Sequence, residues 1–77
     1  MKGDPQAQYE LGLRYEKGEG VPQDYALAHM WFNLSAAALA PVSEKAAQAR
    51  EQLQQKKMTP AQVAEAQRLA REWKPQR

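Results

Sequence analysis

One histidine, one threonine and no cysteine leave this 77-residue sequence few ways to perform covalent or metal chemistry. Asp24, His29 and Ser35 are the residue types of a hydrolytic triad, in which an imidazole takes a hydroxyl proton and a carboxylate orients the ring. On a helical wheel His29, Ser35 and Asp24 stand at roughly 40°, 280° and 260° from Tyr25, so the imidazole points away from its two would-be partners. His29 and Asn33, four apart, would make half a metal site, but no second histidine or cysteine exists and no carboxylate shares that face. His29 therefore reads as a solvated or capping residue. Glu16 and Glu19 fall at a helix end and its loop, without the apolar pocket that separates the pKa values of a catalytic carboxylate pair. Gly18-x-Gly20 follows a helix and precedes Val21-Pro22, whereas phosphate-binding glycines link a strand to a helix. The expectation is no catalytic residue, no cofactor and no metal.

Charge suggests a different class of partner. Residues 1–40 hold three Lys/Arg against five Asp/Glu and residues 41–77 hold eight against four, so the halves carry −2 and +4. Nucleic-acid binding by Lys45, Arg50, Lys56, Lys57, Arg68, Arg71, Lys74 and Arg77 would need a clustered face with aromatic platforms. Glu44, Glu51, Glu65 and Glu72 are interleaved among them, which favours a solvated surface, with an acidic protein partner as the next reading. Neither nucleic acid nor a membrane is expected as a partner. No stretch approaches the 18 apolar residues of a membrane span, and Met1-Lys2 leads into Gly3-Asp4-Pro5 rather than an apolar signal core. A soluble chain is predicted, with the cytoplasm and the periplasm both open and excision from a longer parent compatible with the sequence.

These side chains must be positioned by helices. The sequence is rich in Ala, Gln, Glu, Lys, Arg and Leu, with three valines and no isoleucine, which favours helix over strand. With 43% hydrophobic and 26% charged residues, one folded domain is expected. Asp4-Pro5 starts a first helix that runs to about Lys17, and Gly18 and Gly20 end it. Asp24 caps a second helix over 25–39, stopped by Pro41. Ser43 caps a third over 44–57. Thr59-Pro60-Ala61-Gln62 fits a capping box, with Met58 and Val63 placed for a hydrophobic staple, and opens a fourth helix over 60–73. Short connections make these two antiparallel hairpins.

Within the first helix, Ala7, Leu11 and Tyr15 lie within about 40° of one line and read as the inner face. Tyr9 and Leu13 lie roughly 160° and 200° from Leu11, giving a second apolar face. The second helix, with Tyr25, Leu27, Ala28, Met30, Trp31, Phe32, Leu34 and Leu39, is apolar around most of its circumference and leaves a narrow strip at Ala26, His29 and Asn33. It should be the centre of the packing. Trp73, on one stripe with Val63 and Ala70, reads as core.

The run Gly3-Asp4-Pro5-x-Ala7, Leu11-Gly12-x-x-Tyr15-x-x-Gly18-x-Gly20-Val21-x-Gln23-Asp24-Tyr25-x-x-Ala28-x-x-Trp31-Phe32, then Ala36-Ala37, resembles the Sel-1-like repeat, a relative of the tetratricopeptide repeats. The resemblance covers about residues 3–40. Gly12, Ala28 and Ala36 are then small where helices approach, opposite Trp31 and Phe32. Residues 41–77 do not repeat the pattern, because a shift of 39 puts Arg50 and Glu51 where Leu11 and Gly12 stand. Met58-Thr59-Pro60 with Ala66-Gln67-x-Leu69-Ala70-x-x-Trp73 looks like a terminal hairpin that closes such arrays.

The resemblance implies an all-α fold with four helices, its two hairpins stacked as a short right-handed solenoid fragment: a repeat hairpin over 1–40 and a capping hairpin over 41–77. It implies a non-enzymatic adaptor that binds a protein or peptide, with Gln6, Tyr9, Leu13, Glu16 and Lys17 lining the surface by similarity with tetratricopeptide grooves. Hydrolysis, associated with some disulfide-bonded relatives, finds no cysteine and no placed nucleophile here. Two alternatives are a structural terminal piece without a ligand and a basic nucleic-acid-binding module. Tyr9 and Leu13 have two fates. Left exposed, they predict weak self-association through the first helix; buried against the third helix or a missing preceding repeat, they have no ligand.

Overall fold

A computed structural model describes residues 4–72 as four helices: α1 (Pro5–Lys17), α2 (Tyr25–Ala36), α3 (Ser43–Lys57) and α4 (Pro60–Glu72). No strand occurs among the described residues, and the fold is all-α. Gly3 of the signature run and Trp73, Lys74 and Arg77 lie outside the described residues.

Three of the four starts have a local cause. The Asp4 carboxylate accepts the Gln6 N–H at 3.0 Å and that of Asp24 accepts the Leu27 N–H at 3.1 Å. Thr59 and Gln62 exchange both bonds of a capping box: the Gln62 N–H donates to Thr59 Oγ1 at 3.2 Å and the Thr59 N–H to Gln62 Oε1 at 2.9 Å. α1 ends at Gly18, whose φ of 74° lies in the left-handed region that favours glycine and whose N–H donates to the Arg14 carbonyl at 2.7 Å. The turn is then held closed by the Asp24 N–H on the Tyr15 carbonyl at 2.9 Å and the Gln23 side-chain N–H on the Glu16 carbonyl at 2.8 Å.

α2 is the centre, and α1, α3 and α4 all pack on it. Its Ala28 and Phe32 are fully buried and form the core with Leu53 of α3, while Ala46 of α3 and Ala66 of α4 are also without exposed surface. Burying a side chain of the size of Phe32 or Leu53 contributes about 1.5–3 kcal/mol each. The face that α1 buries differs from the expected one. Gln8 and Gly12 are its buried residues, while Ala7, Leu11 and Tyr15 on one side and Tyr9 and Leu13 on the other are half-buried. The two apolar faces are the flanks of one contact centred on the smallest side chain, where the bulk of Phe32 enters.

The α2–α3 junction also departs from expectation. α2 stops at Ala36, and Leu39, expected on the packed surface of the helix, has a φ of 56° and is 95% exposed. Ser43 is not a helix cap, for no side chain caps α3. Its hydroxyl donates to the Ser35 carbonyl at 2.7 Å and accepts the Ala40 N–H at 2.8 Å, tying the turn to the end of α2. The Ser35 carbonyl, which a continued helix would offer to the Leu39 N–H, takes the Ala38 N–H at 3.2 Å and the Ser43 hydroxyl instead.

Candidate functional site

The chemically capable residues are spent on structure. The Ser35 hydroxyl donates to the Pro5 carbonyl at 2.8 Å, which fixes the start of α1 on the end of α2. Asp24 caps α2, and His29 bonds elsewhere, so no member of the trio is hydrogen-bonded to another. Among the described residues, no group of three His, Cys, Asp or Glu side chains could hold a metal ion.

His29 corrects the sequence reading most directly. It is neither solvated nor capping: it is 2% exposed, with Nε2 3.0 Å from Gln54 Oε1 on α3 and Nδ1 buried without a hydrogen-bond partner. Burial holds its pKa below the ordinary value near 6.5, the Gln54 bond opposes that shift and nearby Arg50 adds to it. One helical turn on, Asn33 Oδ1 accepts from Arg50 Nη1 at 2.7 Å. The polar strip of α2 thus faces α3, where its amide and imidazole groups meet polar partners.

A groove lies between α1 and α3. It has a volume of about 430 Å³, with Tyr9, Leu13, Glu16 and Lys17 on the α1 side and Ala49, Gln52, Leu53, Lys56 and Lys57 on the α3 side. Tyr9, Leu13 and Ala49 pack against the Phe32–Leu53 core from above and form an apolar floor. The rings of Tyr9 and Phe32 are 5.8 Å apart and tilted by 42°. The rim is long and charged: Lys57 Nζ is 3.2 Å from Glu16 Oε2, linking α3 to α1, and also stands 6.0 Å from the centre of the Tyr25 ring. Tyr9 and Leu13 are half-buried: α3 bounds their face, and part of each side chain stays open to the groove.

Four of the five residues anticipated on the α1 surface line this groove. Gln6 does not; it is exposed and donates to Glu10 at 3.1 Å. The α3 wall went unread because its basic residues looked like a solvated surface. Ala46, Ala49 and Leu53, three and four apart, were the signal that one face of α3 is packed.

Other depressions lie elsewhere on the surface. One, between α3 and α4, is lined by Met58 and Val63 together with Gln54 and Gln67, and another is walled by His29, Asn33 and Arg50. On α4, Arg68 is bonded to both Glu65 and Glu72. No helix among the described residues is long and apolar enough to cross a membrane.

With this geometry in place, the family model described as Sel1 repeat matches residues 5–38. Repeats of that family are helical modules, generally non-enzymatic, that mediate protein–protein interaction. No curated protein matches the chain significantly, and neither does any solved structure.

Proposed function

Because residues 5–38 are a Sel1-like repeat, we propose that this chain is a non-enzymatic interaction module that holds a peptide or protein segment in the groove between α1 and α3. The observation that carries this reading is the groove floor, where Tyr9, Leu13 and Ala49 rest on the buried core and line an opening into solvent. A rigid apolar floor ringed by long polar side chains gains affinity from desolvation and register from its rim. In this reading residues 1–40 are the repeat hairpin that supplies one wall and residues 41–77 a closing hairpin that supplies the other.

The test is capture by two baits, wild type and Gln52→Trp, whose indole fills the groove from an exposed position. A protein retained by wild type and lost from the variant supports the groove. Equal retention by both removes it. A second reading, a terminal structural piece with no ligand of its own, draws on the polar outward residues Glu44, Lys45 and Gln48 of α3, all exposed. That reading predicts no specific capture by either bait. Weak self-association through α1 is a separate proposal, supported only by the part of Tyr9 and Leu13 that stays accessible, and sedimentation over a broad concentration range tests it.

A further inference from the structure

We propose that the occupant of the α1–α3 groove is an acidic peptide segment bearing one apolar or aromatic side chain. This rests on the groove being a binding site and specifies its ligand.

Three lysines, Lys17, Lys56 and Lys57, line a depression whose single carboxylate, Glu16, is already held by Lys57 at 3.2 Å. Lys17 and Lys56 are exposed and have no ion-pair partner among the described residues. Ammonium groups gathered around one apolar depression repel one another and raise its potential, which draws in an anionic partner. The floor then asks for something a free anion lacks, an apolar side chain to cover the half-buried Leu13 and Ala49. Exposed Gln52 on the rim can donate to and accept from a peptide backbone. A short acidic peptide with one large apolar residue satisfies both demands. A nucleic acid fits less well, since the Tyr9 ring packs on Phe32 rather than standing free as a stacking platform. A second copy of the chain would bring the same positive groove to face its own.

The experiment is an amide-resolved NMR titration of the isotopically labelled protein with three synthetic peptides: Asp-Glu-Phe-Asp-Glu, its amide counterpart Asn-Gln-Phe-Asn-Gln and its basic counterpart Lys-Arg-Phe-Lys-Arg. The acidic peptide is expected to shift the amides of Leu13, Lys17, Leu53 and Lys56, with affinity falling as salt screens the rim. Lys17→Glu/Lys56→Glu should bind it about tenfold more weakly, as expected for reversing two exposed charges. Lys17→Gln/Lys56→Gln should fall between that variant and wild type, and an unchanged spectrum elsewhere verifies the fold of both. Equal binding of the amide peptide, or preference for the basic one, overturns the acidic ligand and leaves the groove as a binding site. If no peptide moves these amides, both the ligand and the groove reading fail. Shifts of the same amides on raising protein concentration alone, or stronger shifts with an oligothymidylate, identify a second copy or a nucleic acid as occupant and overturn the proposal.

Discussion

Gly12 and Phe32 meet so closely that a methyl group has no room: a Cβ built on Gly12 would stand 2.5 Å from two atoms of the Phe32 ring. Alanine gains about 1 kcal/mol over glycine in helix propensity, yet overpacking a fixed core costs about 1–3 kcal/mol, so the clash decides the sign. Gly12→Leu is expected to unfold the domain or lower its thermal midpoint sharply by circular dichroism, and an unchanged midpoint would take Gly12 out of the contact. His29 makes a second prediction at this scale. Its folded pKa lies below its ordinary value, so between the two values the unfolded chain binds the extra proton, and stability rises with pH. Its contribution is fully present above about pH 6.5, is lost as pH falls below that value and levels off below the folded pKa. Denaturant midpoints measured through this window should decline for wild type. The same decline undiminished in His29→Gln would assign the effect to other groups.

At the scale of the element, α4 depends on its first turn more than its neighbours do. Its paired Thr59–Gln62 bonds satisfy two backbone groups in a helix that has only Ala66 fully buried. Thr59→Ala should cost about 1 kcal/mol, within a range of roughly 0.5–2. Denaturant midpoints read the loss, and a shift within error would mean that α4 is held by α2 alone. α3 is the opposite case: it has no side-chain cap, and its start is fixed from outside by the Ser43 hydroxyl reaching back to α2.

For the whole molecule, the arrangement of three helices around α2 sets the cooperative unit. The α1–α2 hairpin carries the repeat signature, but Leu53 from α3 completes the Phe32 core, and α4 packs on α2 as well. A peptide of residues 4–40 would expose those surfaces of α2, and so short a chain buries too little area to offset its conformational entropy. It is expected to show little helicity by circular dichroism where the 77-residue chain is mostly helical. A stably folded peptide with a cooperative melt would show that the hairpin is self-sufficient and that residues 41–77 are dispensable for folding.

Caps and periodicity are local properties, which is why they could be read along the chain. Asp4-Pro5, Asp24 and the Thr59–Gln62 pair announced three helix starts, Gly18 one end, and the apolar circumference of α2 its central place. Gly12, small among large neighbours, marked a close approach that the Phe32 ring fills. What depended on distant residues was not legible. An imidazole on the polar strip of a helix looks solvated until α3 brings Gln54 to it. An alanine-rich run looks helical to Leu39 until Ser43 takes the carbonyl of Ser35. The groove is the largest such gap. On its α1 side stand four residues that the resemblance to tetratricopeptide grooves implied, but its α3 wall and lysine rim exist only because both helices pack on α2, and the direction in which a side chain faces another helix is set by that packing.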